Sequence, residues 1–298
     1  MFSVWELITY NLTNENEVLD RIKEAEIIIT NKVYIGKNEM EVAKNLKLVC
    51  VAATGYNNVD IEEAKQKNIV VANVKNYSTE SVAQTVFAYI LEFYNKINRQ
   101  NEDVKKGKWE KSPIFTMLNH TTFELKNKKI GIIGYGKIGK RVGEIAKVFG
   151  MKILVAKRKG VEYKENFRYS LEEILKESDI VTIHTPLTKE SFNMIGKKEL
   201  ELMKKDSFLI NTARGGIINE EELYFALKNK KIKGGALDVM VEEPPKSHKK
   251  LFELDNIIIT PHIAWASKES REKLIAGIVD NIREFKKGKI EKINIWRK

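Results

Sequence analysis

Short apolar runs alternate with amphipathic stretches along almost the whole chain. In the first part, "AEIIIT", "LKLVCVAAT" and "NIVVANV" are rich in β-branched residues and mostly bounded by polar ones, which predicts three strands. Between the last two, "NVDIEEAKQKN" predicts a short helix capped by Asp60, with Glu63 three residues on. In "STESVAQTVFAYILEFYNKINRQNEDVKKG", Val82, Val86, Phe87, Ile90, Leu91 and Tyr94 recur at helical spacing. One long helix is expected there, capped by Ser78 or Thr79 and ended by Gly107.

A second series follows. "KKIGIIG", "KILVA", "DIVTIHT", "SFLINTA", "IKGGALDV" and "NIIITP" predict strands, and helix-like patterns such as "SLEEILKES" and "NEEELYFALKNK" lie between them. Strand–helix alternation of this kind implies a parallel sheet covered on both faces. The tail "KESREKLIAGIVDNIREFKKGK" predicts a final amphipathic helix with Leu274, Ile275, Ile278, Val279, Ile282 and Phe285 on one stripe. The expected fold class is α/β, with two Rossmann-like or flavodoxin-like domains built on parallel sheets.

A length of 298 residues leaves room for two domains, and 43% hydrophobic with 31% charged residues fits globular cores. The net charge of +11 raises the possibility of a nucleic-acid partner. Lysines alternate with glutamates, however, in "KESREK" and "NEDVKKGKWEK", as on solvated helix faces, and no reading motif accompanies them. No nucleic-acid partner is expected. No apolar run approaches the roughly 20 residues of a membrane helix, and "MFSVWELITY" lacks the pattern of a secretory signal, so no membrane association is expected. The single Cys50 excludes an intramolecular disulfide and fits a reducing, cytoplasmic compartment. His120, His184, His248 and His262 have no metal-site spacing with each other or with Cys50, so no metal is expected.

The stretch "GIIGYGKIGKRVGEIAKVFG" contains Gly134, Gly136 and Gly139 as G-x-G-x-x-G, after a predicted strand and at the start of a predicted helix. That context reads as a dinucleotide turn. Gly134 permits the tight turn, Gly136 lets a pyrophosphate approach the backbone, and Gly139 lets the helix pack close to the sheet. About twenty residues on, where NAD-binding chains offer an acid to the ribose hydroxyls, "ILVAKRKG" offers Lys157 and Arg158. Cations there would bind a 2′-phosphate through charge-assisted bonds, so NADP is the preferred cofactor and NAD the alternative.

"NTARGG", "GALDVMVEEPP" and "TPHIAWAS" each fall at the C-terminal end of a predicted strand, the edge at which parallel sheets bind ligands. They place an arginine, two acids and a histidine on one rim. Reduction of a keto group puts negative charge on oxygen, which a guanidinium stabilises, and needs a proton from a group titrating near neutrality.

In order and wording, "ATGYNNVD", "GYGKIGKRV", "HTPLT", "NTARGG", "LDV…EEPP" and "PHIAWAS" resemble the D-isomer-specific 2-hydroxyacid dehydrogenase family across nearly the whole chain. "SPIFTMLNHTTFEL" and "HIAWAS" are most similar to glycerate dehydrogenases, also called hydroxypyruvate reductases. The resemblance implies reversible reduction of hydroxypyruvate or glyoxylate, with the cofactor in the cleft between the domains. It implies a catalytic set of Arg214, Glu243 and His262: Arg214 for the substrate carboxylate and keto oxygen, His262 as proton donor, Glu243 to hold the imidazole. Thr54 and Gly55 would take the carboxylate from the other domain, and Trp265 would wall the pocket or simply pack. Lys137, Ile138, His184, Thr185, Pro186, Ser191, Thr212 and Ala213 would line the cofactor site, with Asp238 at its nicotinamide end. Residues 1–97 with 267–298 would form the substrate domain and 98–266 the dinucleotide-binding domain, and the assembly would be a homodimer through a helical arm. The rival readings are another 2-keto acid, such as pyruvate or phosphohydroxypyruvate, and a non-catalytic dinucleotide-sensing corepressor.

Two departures from the family pattern stand out. Lys157 and Arg158 replace an acid at the first position. The strand and helix, roughly twenty residues, that usually precede the segment matching "FSVWELITYNLTNENEVLDRIKEA" are expected to be missing here, so the smaller domain is expected to lack a central strand and to expose edge groups.

Overall fold

The computed structural model describes residues 6–157, 161, 168–247 and 249–296. The chain divides into two compact units, Met1–Tyr77 with Lys268–Lys298, and Ser78–Ser267. The first begins with α1 (Val18–Ile22), β1 (Ile27–Thr30), α2 (Lys37–Val42), β2 (Leu48–Val51), α3 (Ile61–Gln66) and β3 (Val70–Asn73). The second holds α4 (Thr79–Asn95), α5 (Ile97–Lys105), β4 (Lys129–Ile133), α6 (Lys137–Val148), β5 (Lys152–Ala156), β6 (Arg168–Tyr169), α7 (Leu171–Glu177), β7 (Ile180–Ile183), α8 (Lys197–Leu202), β8 (Phe208–Asn211), α9 (Glu220–Lys228), β9 (Gly234–Leu237) and β10 (Ile257–Ile259). Helices α10 (Lys268–Lys286) and α11 (Ile290–Ile293) return to the first unit.

In the first unit the three strands pair in parallel in the order β1-β2-β3. β2 lies in the middle and is wholly buried, which explains its unbroken apolar run. Val49 and Val51 pack with Ile22, Met40, Val59 and Ala64. Helix α10 packs on β2 and β3. It comes close because Gly277 has no side chain: a Cβ there would stand 2.6 Å from Val74. The α10 stripe is narrower than its periodicity suggests, since Leu274 and Ile278 are buried but Ile275 and Val279 are exposed. Asp60 caps α3 as expected, its Oδ1 accepting the Glu63 N–H at 3.0 Å.

In the second unit seven parallel strands run in the order β10-β9-β8-β7-β4-β5-β6. Chain order reverses between β4 and β7, the switch point at which doubly wound sheets bind nucleotides. Two expectations need correction. The boundary between the units falls at Tyr77/Ser78, not after residue 97. Val86, Phe87 and Ile90 of α4 find their apolar partners in Ile130, Ile132, Val142 and Ala146 of this unit; periodicity shows a stripe but not what covers it. The single long helix is also two helices, because Lys96 adopts a left-handed conformation (φ 53°). The Gln100 side chain donates to the Asn95 carbonyl just beyond the break, at 2.7 Å.

Phe208 of β8 is fully buried and stacks on Phe93 of α4 with ring centroids 3.9 Å apart. Gly234 on the neighbouring strand makes room, since a Cβ there would stand 2.4 Å from the Phe93 ring. Phe208→Ala is expected to destabilise the second unit by about 3–5 kcal/mol in guanidinium denaturation; a loss below about 1 kcal/mol would show that this stack does not anchor α4.

Candidate active site

The turn after β4 is shaped by steric necessity. Gly134 has φ +94°, and a Cβ there would meet the His184 carbonyl at 2.5 Å. A Cβ on Gly139 would stand 2.1 Å from the Gly134 carbonyl oxygen. These two glycines therefore bring the turn against the end of β7 and the helix against the turn. Gly136 differs: nothing lies within 4 Å of its Cβ position, and no side chain caps the 12-residue α6 that it starts. An open backbone at a helix N-terminus, with Lys137 exposed and Ile138 half-buried behind it, fits a pyrophosphate. A second observation supports the fit. Thr212 Oγ1, just past β8, is buried without a hydrogen-bond partner among the described residues. Where a dinucleotide is bound, Gly136, Lys137 and Ile138 would hold its phosphates and Thr212 could meet a polar atom.

Lys157 is exposed just past β5. Val155 of β5 pairs with Ile132 of β4, two residues before Gly134, so Lys157 and Gly134 stand at matching levels of adjacent strands. Arg158 lies outside the described residues, as does His248. The structure adds a cation that periodicity did not reveal. Arg168, on the two-residue β6, lies over the Tyr135 ring of the turn at 5.8 Å. A strand this short carries no pattern to read.

His184, Thr185 and Pro186 follow β7. Burial pushes the His184 imidazole down to about 3, and its Nε2 lies 3.0 Å from Thr182 Oγ1. The ring is therefore neutral at working pH and is not a proton donor. The buried Ser191 turns its hydroxyl inward, donating to the Pro186 carbonyl at 2.8 Å and accepting the Thr188 N–H at 2.7 Å. It shapes the loop through these bonds.

The rim is built by three neighbouring strand ends. Asn211 of β8 is level with Leu237 of β9, which is level with Ile259 of β10. Arg214, Asp238 and His262 therefore follow on adjacent segments. Buried Asn211 folds the first segment, its Oδ1 accepting the Ala213 N–H at 3.0 Å and its Nδ2 donating to the Arg214 carbonyl at 2.8 Å. Arg214 is exposed and donates to the Ala213 carbonyl at 2.7 Å. Gly215 presses against the second segment so closely that a Cβ would stand 1.9 Å from the Met240 carbonyl oxygen. Glu243 Oε1 accepts the Met240 N–H at 2.9 Å, and Oε2 meets His262 Nδ1 at 2.6 Å. Among the described residues, His262 Nε2 has no partner. The adjacent acids are thus separated by geometry, since Glu242 pairs with Lys249 at 2.9 Å. Asp238 is buried, and both its oxygens accept bonds from the third segment, from Thr260, Ile263 and Ala264.

In the other unit, Thr54 follows β2. Its hydroxyl donates to the Val74 carbonyl at 3.0 Å, and its carbonyl accepts from Asn73 Nδ2 at 2.6 Å. The backbone N–H groups of Thr54 and Gly55 have no partner among the described residues. Trp265 is half-buried. His120, in the loop after α5, contacts the buried Asp103 at 2.9 Å.

Residues 87–264 match the family described as "D-isomer specific 2-hydroxyacid dehydrogenase, NAD binding domain". A hydroxypyruvate reductase of Blautia hydrogenotrophica is 41% identical over 289 residues, covering 95% of this chain and 90% of that one. A glycerate dehydrogenase of Methylorubrum extorquens is 38% identical, covering 93% and 88%. The crystal structure of a D-lactate dehydrogenase from Aquifex aeolicus, complexed with NAD and lactic acid, superposes with a TM-score of 0.80 at 34% identity, covering 92% and 87%. The chain belongs to the D-isomer-specific 2-hydroxyacid dehydrogenase family. It is an oxidoreductase that reduces 2-keto acids to D-2-hydroxy acids with a nicotinamide cofactor. Among the described residues, no helix is long and apolar enough to cross a membrane.

The neutral His184 gives a pH signature. Below its ordinary value of 6.5 the unfolded chain takes up a proton that the folded chain, titrating at about 3, refuses. Its contribution to stability is complete above that ordinary value and declines as pH falls toward about 3. Carboxylates such as Glu177, held low by Lys129, add their loss only below about 4.5. The melting temperature is expected to fall between about pH 6.5 and pH 5, and His184→Asn to flatten that slope. Identical slopes in the two proteins would contradict the assignment.

Proposed function

We propose that this protein is a hydroxypyruvate reductase that also takes glyoxylate, forming D-glycerate and glycolate reversibly. The observation that carries the reading is the 2.6 Å contact of Glu243 with His262 Nδ1, on the rim that also bears Arg214. The names of the two similar bacterial enzymes support the choice of substrate.

In the proposed mechanism Arg214 binds the substrate carboxylate and polarises the keto oxygen. When bound, the cofactor supplies a hydride to the carbonyl carbon. The developing alkoxide is stabilised by the Arg214 guanidinium, which keeps its charge throughout. His262 gives its Nε2 proton to that oxygen, and Glu243 fixes the ring and stabilises its charged form. In the oxidative direction the neutral ring takes the proton back. Trp265 would border the substrate. Asp238 holds the histidine segment, next to the nicotinamide end of the cofactor.

Lys157, with Arg158 from the sequence, favours NADP; Arg168 adds a third cation beside the turn. The same proposal includes a cytoplasmic homodimer. Exposed Trp109, Ile114, Phe115 and Leu118 form an apolar stretch suited to a subunit contact. A panel of keto acids with both reduced cofactors tests the reading. Hydroxypyruvate is expected to give the highest kcat/KM, and NADPH to exceed NADH. A clear preference for pyruvate or phosphohydroxypyruvate would change the substrate, and a preference for NADH would remove the cofactor inference. No turnover alongside tight dinucleotide binding would point to a sensor instead. Sedimentation velocity of the same preparation is expected to give a dimer, and a monomer would remove that part.

A further inference from the structure

The segment that carries His262 is held by a hydrogen-bond relay that begins in helix α4. Asp238 is buried at the end of β9. Its Oδ1 accepts the Thr260 hydroxyl at 2.6 Å and the Ile263 N–H at 2.8 Å, and its Oδ2 accepts the Ala264 N–H at 2.8 Å. Thr260 and Ile263 stand on either side of Pro261 and His262 in sequence. A carboxylate can only accept, so the single proton of Thr260 is committed to it. The Tyr89 hydroxyl meets the same Thr260 oxygen, and must therefore be the donor in that contact. Burial, more than anything else, pushes the Tyr89 phenol up to about 12, so its proton is in place at any working pH. Donation converges on the carboxylate: phenol to threonine and threonine to carboxylate from one side, and the Ile263 and Ala264 N–H groups beside His262 from the other.

That backbone needs holding. His262 has φ +55°, a conformation that costs a non-glycine residue energy and persists only where its surroundings fix it. Hydrogen bonds in a chain polarise one another, so a donor at the far end strengthens the Thr260–Asp238 bond. Ser81, also on α4, ties down the other end of the segment. Its Oγ donates to the Ala264 carbonyl at 2.7 Å and accepts the Ser267 N–H at 3.3 Å. Tyr89 takes no part in the chemistry described above, and nothing in the sequence pattern marks its hydroxyl.

We propose that Tyr89 is a positioning residue: through Thr260 and Asp238, its hydroxyl fixes the left-handed turn that presents His262 to the substrate. The inference rests on the reading of His262 as proton donor. A phenylalanine at this position would keep the packing and lose only the donor.

The test combines kinetics with the histidine spectrum of the full-length protein. In Tyr89→Phe, kcat for hydroxypyruvate is expected to fall about three- to tenfold, with KM changed less than about twofold, because the proton donor is displaced but the carboxylate contacts remain. In protein labelled at histidine Cε1, the His262 signal, assigned by its loss in His262→Gln, is expected to shift or broaden while that of His184 stays in place. Thr260→Val breaks the same relay one link further on. The double variant is expected to lose no more than Thr260→Val alone, since residues of one network are not additive. A His262 signal in Tyr89→Phe that coincides with the wild type would overturn the proposal, whatever happens to kcat. So would losses that multiply in the double variant. Absence of turnover in the wild type would instead defeat the functional reading, while the spectrum would still decide the role of Tyr89. If Tyr89→Phe does not fold, Thr260→Val with an unshifted His262 signal would overturn the proposal equally.

Discussion

The contact between Glu243 and His262 depends on three parallel strands ending side by side. Asn211, Leu237 and Ile259 stand level across β8, β9 and β10, and each is followed within three residues by a group of the rim. Three links then draw the segments together. Gly215 leaves no room for a side chain against the Met240 carbonyl, the Met240 amide holds Glu243, and Glu243 holds His262. A side chain at residue 215 would force the Arg214 and Glu243 segments apart. The arginine, the carboxylate and the imidazole are therefore organised by backbone proximity as much as by their own charges.

The same economy governs the turn at the switch point. Gly134 and Gly139 are required by contacts of 2.5 Å and 2.1 Å that a Cβ would create, one with the end of β7 and one within the turn itself. Gly136 has no such neighbour, and its bareness makes sense for a backbone that must be approached from outside. Around it the charge is positive. Lys137, Lys157 and Arg168 lie near the turn, and the His184 imidazole at the end of β7 is kept neutral by burial.

Much of this was legible in the sequence, for reasons that can be named. The strands of the second unit are apolar on both faces, and their runs coincide closely with β4, β5 and β7 to β10. Glycines at fixed spacing mark the turn because only glycine fits there. Other features had no local signal. The break at Lys96 is a single left-handed residue inside a continuous helical pattern. The placement of α4 with the second unit is decided by partners far away in sequence, such as Ile130 and Phe208. The choice between Glu242 and Glu243 needs the position of Lys249. Arg168 and Tyr89 reach the site from a two-residue strand and from the body of a helix, neither of which a rim-based reading would search.

The account stands on His262 as the proton donor at the rim. The most direct measurement is the steady-state kinetics of His262→Gln with hydroxypyruvate, paired with fluorescence titration of NADPH binding to the same variant. The account predicts a fall in kcat of about 10²- to 10⁴-fold with cofactor binding retained. A variant that keeps more than about a tenth of the wild-type kcat would contradict it, because general acid catalysis by this ring would then contribute too little to matter.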